Sequence, residues 1–150
     1  MNTERPPLLS LVLGYGPALL QLLIGVGIWL LPLPSGLLLI AVGQIWAASI
    51  LLFLAGVRRG LSFFTEGGPR PAQIATMMWL FLAGLAGLLL PPALALLAAA
   101  IGYLSIAILD PLAAKRGEVP AHFATLRPPQ MAIFVIGIAS LFAWLHVNLG

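Results

Sequence analysis

Few residues in this chain have chemistry to offer, and most of them crowd around short stretches between long apolar runs. Asp110-Pro111 is followed by Leu-Ala-Ala-Lys115-Arg116-Gly117, and Arg58-Arg59-Gly60, Arg70 and Arg127 supply the nearest other cations. A carboxylate that closes an apolar helix sits at the negative end of the helix dipole, where it is disfavoured unless a cation is near. Arg58, Arg59, Lys115 or Arg127 could pair with it. Such a cluster would pack two loops together, or hold a lipid phosphate. The same order of residues also reads as a helix start, with Asp110 as N-cap, Pro111 at the first helical position and Gly117 as the stop. The positional logic favours that capping role.

Gln21 and Gln44 are the amides that fall well inside apolar runs, and in hydrocarbon an amide generally faces a neighbouring helix as interhelical glue. An ion or quinone contact would need more convergent polar groups than Tyr15, Tyr103, Ser49 and Ser105 supply. His122 and His146 fall at opposite ends of the last apolar run, so one monomer does not bring them to one metal or haem. With no Cys, thiol catalysis, thiolate-bound zinc, iron-sulfur clusters and disulfides drop out. No Ser-His-Asp set, paired carboxylates, metal-ligand group or phosphate loop can be assembled, so no catalytic residue, metal or cofactor is expected and the chain does not read as an enzyme.

The elements that must position these residues are set by composition. Of 150 residues, 61% are hydrophobic and 7% charged. The mean hydropathy is +1.11. These values belong to an all-α integral membrane protein, a single membrane domain over 1–150 with no room for a soluble catalytic or nucleic-acid module. Five transmembrane helices are predicted, at about 8–31, 37–57, 72–90, 92–109 and 130–147, each long enough to cross a hydrocarbon core of about 30 Å. Pro32-Leu-Pro-Ser-Gly36 reads as a turn rather than a cleavage site, so the first run is expected to be retained. Arg58-Arg59 marks an interface, Gly60 permits a helix stop, and Phe63 and Phe64 could lie in the headgroup layer. Pro91-Pro92 splits the third run from the fourth as a tight hairpin, and Pro128-Pro129 precedes the fifth. Four helices with a re-entrant segment is the alternative.

Charge placement supports five spans. An odd number puts the N-terminus and the loops 58–71 and 110–129 on one side, and Arg5, Arg58, Arg59, Arg70, Lys115, Arg116 and Arg127 all fall there, as do the acids Glu4, Glu66, Asp110 and Glu118. The positive-inside rule then makes the N-terminus cytoplasmic and the C-terminus periplasmic, in a multi-pass protein of a bacterial inner (cytoplasmic) membrane. The pI near 10.2 is thereby a matter of membrane orientation, and no nucleic-acid partner is implied.

Small residues recur at helix-contact spacing, as Gly43 with Ala47, Ala83 with Gly87 and Ala98 with Gly102. Gly14-Tyr15-Gly16-Pro17 is a kink signal in the first span. Trp29 and Trp144 fit an aromatic belt at the outer ends, whereas Trp46 is mid-span and must pack against a helix or lipid.

Three segments carry a resemblance over nearly the whole chain: Leu13-Gly14-Tyr15-Gly16-Pro17, Phe53-Leu54-Ala55-Gly56-Val57-Arg58 with Gly60, and Asp110 followed by Gly117, Pro120 and Arg127. With these the chain resembles a small five-helix bacterial membrane family, domain of unknown function thirty-four twenty-nine, whose relatives include a mitochondrial transmembrane protein. The resemblance implies the fold and structural roles for Gly14, Gly16, Pro17, Gly56, Gly60, Asp110, Gly117 and Pro120, and no activity.

The expected function is therefore non-catalytic: an accessory, assembly or scaffold subunit of a larger respiratory or photosynthetic membrane complex. Its partners would be membrane lipids and other integral membrane subunits, with a homo-oligomer also open to it. Candidate partner or lipid contacts are Arg58, Arg59, Arg70, Lys115, Arg116 and Arg127, with Phe63 and Phe64 as apolar contacts. The alternative is a small-solute or ion channel or transporter. That would normally show ionisable residues inside the spans or broken helices in repeated halves, and neither is visible in the sequence.

Overall fold

The computed structural model describes residues 7–150, so Glu4 and Arg5 lie outside the described residues. Five α-helices follow one another: α1 (Leu8–Gly27, continued by a 3-10 turn, Ile28–Leu30), α2 (Leu33–Ser62), α3 (Pro71–Leu89), α4 (Pro92–Lys115) and α5 (Phe123–Leu149). All five are long and apolar enough to cross a membrane, and the described residues contain no strand. The proline pairs set the entrances. Pro34 and Pro92 sit in the first turns of α2 and α4, where a missing N–H costs nothing.

Helix α2 touches all four of the others, with α3 along most of its length, while α5 lies between α1 and α4 and the short Leu90-Pro91 link folds α4 back against α3. Where α1 meets α5 the approach is backbone to backbone. A Cβ on Gly137 would stand 2.7 Å from the Gln21 carbonyl oxygen and 3.0 Å from the Leu22 Cα, so no side chain fits there. The core is closed by Tyr103 of α4 stacked on Phe134 of α5, with ring centroids 4.2 Å apart and planes 8° from parallel. The Tyr103 hydroxyl donates to the Ala47 carbonyl of α2 at 2.7 Å, which ties three helices at one level.

Four expectations are corrected here. Asp110 is not an N-cap: α4 continues through Pro111 to Lys115, and Asp110 is buried in the bundle. Proline this close to the helix end removes a single backbone bond, and the next turn is held by a Schellman close, Glu118 N–H to the Ala113 carbonyl at 3.0 Å and Gly117 N–H to the Ala114 carbonyl at 3.1 Å. Gly117, at φ +69°, does supply the left-handed stop. Gly60 does not stop α2, which runs on to Ser62; the positive-φ glycines of the connector are Gly67 and Gly68. The last helix begins at Phe123 rather than after Pro128-Pro129. The prolines deprive the Ala124 and Thr125 carbonyls of their helical donors, and Thr125 is exposed at the helix entrance. Trp144 is not part of an outward belt, being 3% exposed with its ring against Gly36. Trp29 is exposed as expected, and its Nε1 donates to Ser140 Oγ at 2.9 Å.

Candidate functional site

The polar residues divide into three groups. The first serves the bundle. Gln44 Nε2 donates to the carbonyls of Gly87 at 3.0 Å and Leu90 at 3.2 Å, which holds α2 against the end of α3. Trp46 Nε1 donates to the Pro17 carbonyl at 3.1 Å, and Trp79 Nε1 to Ser105 Oγ at 2.9 Å. The small pairs are likewise used inside the chain. A Cβ on Gly43 would strike Leu141, one on Gly87 would meet Ala48 Cβ at 2.9 Å, and one on Gly102 would meet Leu51 at 2.9 Å. Gln21 is different: it is fully buried and both its amide atoms lack a hydrogen-bond partner among the described residues.

The second group is a buried charge cluster. Arg58 near the end of α2 donates to Asp110 Oδ1, and Arg127 of α5 brings its Nε to 3.2 Å from Oδ2. All three side chains are nearly enclosed, at 6%, 5% and 12% exposure. Taking such ions out of water costs several kcal/mol each, about the amount that a well-formed pair offsets. Two guanidiniums to one carboxylate leave a formal excess of one positive charge. The Arg127 Nε is out of line with the carboxylate and makes no hydrogen bond, and its Cζ stands 4.4 Å from the Phe123 ring centroid.

The third group joins the two connectors. The buried Glu118 faces Arg116 Nε at 3.2 Å and Arg70 Nη1 at 3.5 Å, linking the α4–α5 connector to the start of α3. Gln73 Oε1 accepts from the Arg70 backbone N–H at 2.9 Å, and Gln73 Nε2 donates to Thr65 Oγ1 at 2.9 Å, so the first turn of α3 is capped from within.

The six basic residues expected on one loop face are thus not equivalent. Arg58 and Arg127 lie in helices and inside the bundle, a correction to their expected place on loops. Arg70 and Arg116 are half-exposed and paired with Glu118, and Lys115 is exposed. Arg59 stacks over Phe63 at 4.1 Å and donates to Ser62 Oγ at 3.1 Å. Phe63 and Phe64 are 63% and 89% exposed. Gly16, Gly56 and Gly60 point into open space, where an added Cβ meets nothing within 4 Å. Pro120 is half-buried, beside the enclosed Val119.

Between α1, α2 and α5 lies a cavity of about 390 Å³, which adjoins a cleft of about 10 Å³ beside the charge cluster; Leu54, Val57, Phe123 and Arg127 line both. Gly14 and Pro17 line the larger space, so the kinked segment of α1 shapes a cavity wall. Gln130 also lines it, at 1% exposure and with no hydrogen bond to any described residue. Sequence reasoning passed over Gln130 because it stands at the expected start of the last span; with the helix beginning at Phe123 it is two turns inside. Its signal was an isolated amide after two prolines. Among the described residues no group of three or more His, Cys, Asp or Glu could hold a metal.

Comparison of the chain with protein-family models, with curated proteins and with solved structures finds no match.

Proposed function

We propose that this chain is a non-catalytic, multi-pass protein of a bacterial inner membrane that serves as an accessory, assembly or scaffold subunit beside the helices of a larger respiratory or photosynthetic complex. The observation that carries this reading is the outward face of α2. Phe53, Gly56 and Gly60 fall along one side of that helix and Phe64 follows in the turn after its end; the two phenylalanines are 65% and 89% exposed, and the two glycines are open. Glycines four apart between large apolar side chains form a notch that lets a second helix approach closely. The internal small-residue pairs are already occupied by packing, so this notch is free for a partner. A cytoplasmic N-terminus is the orientation the charge asymmetry supports, and the helix number is the one implied by the resemblance to the five-helix family of domain of unknown function thirty-four twenty-nine.

A channel or transporter is less well supported. It needs a hydrated route, yet Gln44, Tyr103, Ser105 and Ser140 are engaged in helix-to-helix bonds, and the Tyr103–Phe134 stack closes the centre of the bundle.

The test is gentle extraction of the tagged protein from its native membrane, size separation and mass spectrometry of what migrates with it. A stoichiometric set of membrane subunits is expected, and Gly56→Leu with Gly60→Leu should remove that set while leaving the protein in the membrane. Recovery as a monomer or homo-oligomer alone overturns the reading and makes solute flux the next assay.

A further inference from the structure

The cavity between α1, α2 and α5 has the features of a ligand site rather than of a packing fault. Its volume, about 390 Å³, lies in the range of roughly 300–1,000 Å³ typical of small-molecule pockets. Its walls are mainly apolar, and Leu13 and Phe53, which line it, are 71% and 65% exposed on the bundle surface, so its mouth faces the hydrocarbon rather than water. On the inner side it ends at Phe134, which is stacked on Tyr103. The space is therefore a blind pocket entered from the side.

The polar groups at this pocket are Ser10, Arg127 and Gln130. Gln130 decides the case. Its amide opens onto the cavity, while the buried side-chain atom at this pocket that lacks a partner among the described residues is Arg127 Nε. Gly14 makes the room: a Cβ at that position would collide with the Gln130 amide. Arg127 adds a guanidinium whose Nε lacks a hydrogen bond, from a cluster with two cations to one anion. A hydroxyl, an amide and an incompletely neutralised guanidinium together favour an acceptor with negative charge.

We propose that this pocket binds one anionic amphiphile from the membrane. Its carboxylate or phosphate accepts hydrogen bonds from Gln130, Arg127 and Ser10, and its acyl chain runs past Leu13, Phe53 and Val57 toward the bilayer. The head-group chemistry is shared by a free fatty acid and an anionic phospholipid. The site shares Phe53 with the outward face of α2 but needs no protein partner.

The full chain in a neutral maltoside detergent would be equilibrated with oleate, lysophosphatidylglycerol or monooleoylglycerol, and retained adducts counted by native mass spectrometry. One oleate or one lysophosphatidylglycerol per chain is expected, with uncharged monooleoylglycerol, which has neither carboxylate nor phosphate, held more weakly by about tenfold, the effect of a charge-assisted hydrogen bond. The stronger of the two anionic probes identifies the source. Gln130→Leu and the cavity-filling Val57→Phe should each lower retention by about tenfold on the same ground, and Gly60→Leu should leave it unchanged. If Gln130→Leu fails to fold, Gly14→Ala displaces only the end of the amide side chain and carries the same test. Equal retention of all three probes, or anionic retention indifferent to the substitutions, overturns the proposal.

Discussion

Arg58 of α2 donates a hydrogen bond to Asp110 of α4 inside the bundle, across 52 positions of sequence, and Arg127 of α5 approaches the other carboxylate oxygen. The cluster has one acid for two bases, so its members are unequal. Asp110→Asn would leave two enclosed guanidiniums facing each other and should destabilise the protein by about 3–5 kcal/mol. Arg127→Gln leaves the hydrogen-bonded Arg58–Asp110 pair balanced and should cost about 1 kcal/mol. Thermal unfolding in detergent, followed by helical circular dichroism, checks the order; an Asp110→Asn protein as stable as Arg127→Gln would contradict it.

Gly137 sets the distance between α1 and α5. Because the obstacle to a Cβ is the Gln21 backbone carbonyl rather than a movable side chain, Gly137→Ala should force the helices apart at a cost of about 1–3 kcal/mol. Gly16→Ala, into open space on α1, should be neutral in the same assay.

The two mid-span glutamines should respond in opposite ways. Gln44→Leu removes two bonds to the end of α3 and should cost about 1 kcal/mol. Gln21→Leu replaces an enclosed amide without partners and should be neutral or stabilising. Retained co-purification of subunits in the Gln21→Leu protein is expected of a scaffold, whereas a transport path through Gln21 would be blocked.

Topology can be read with single cysteines, because the natural chain has none. With the N-terminus cytoplasmic, Glu66→Cys should react with an impermeant maleimide only in inverted vesicles and Ser35→Cys only in intact spheroplasts. The reverse pattern would refute the orientation proposed from the basic residues.

How much of this was legible beforehand follows the range of the interactions. The hairpin at Pro91-Pro92 and the stop at Gly117 could be read because proline and glycine act on their own backbone. The start of α5 could not, since the helix entrance lies ahead of two prolines that ordinarily mark a break. Of the candidate site, Gly14, Pro17 and Arg127 were singled out from the sequence, while Gln130 and Ser10 were not. Nothing local distinguishes an amide that faces a cavity from one that faces a helix.

Length, hydropathy and the spacing of charges by themselves determined an all-helical chain with five apolar helices, because transfer to hydrocarbon is a sum over neighbouring residues and needs no knowledge of partners. Which of several arginines meets Asp110, which glycines face inward, and that α1, α2 and α5 leave a pocket beside Gln130 were decided only by the tertiary structure. Those outcomes depend on how each helix is rotated about its own axis, and that rotation is set by close packing between residues far apart in the chain.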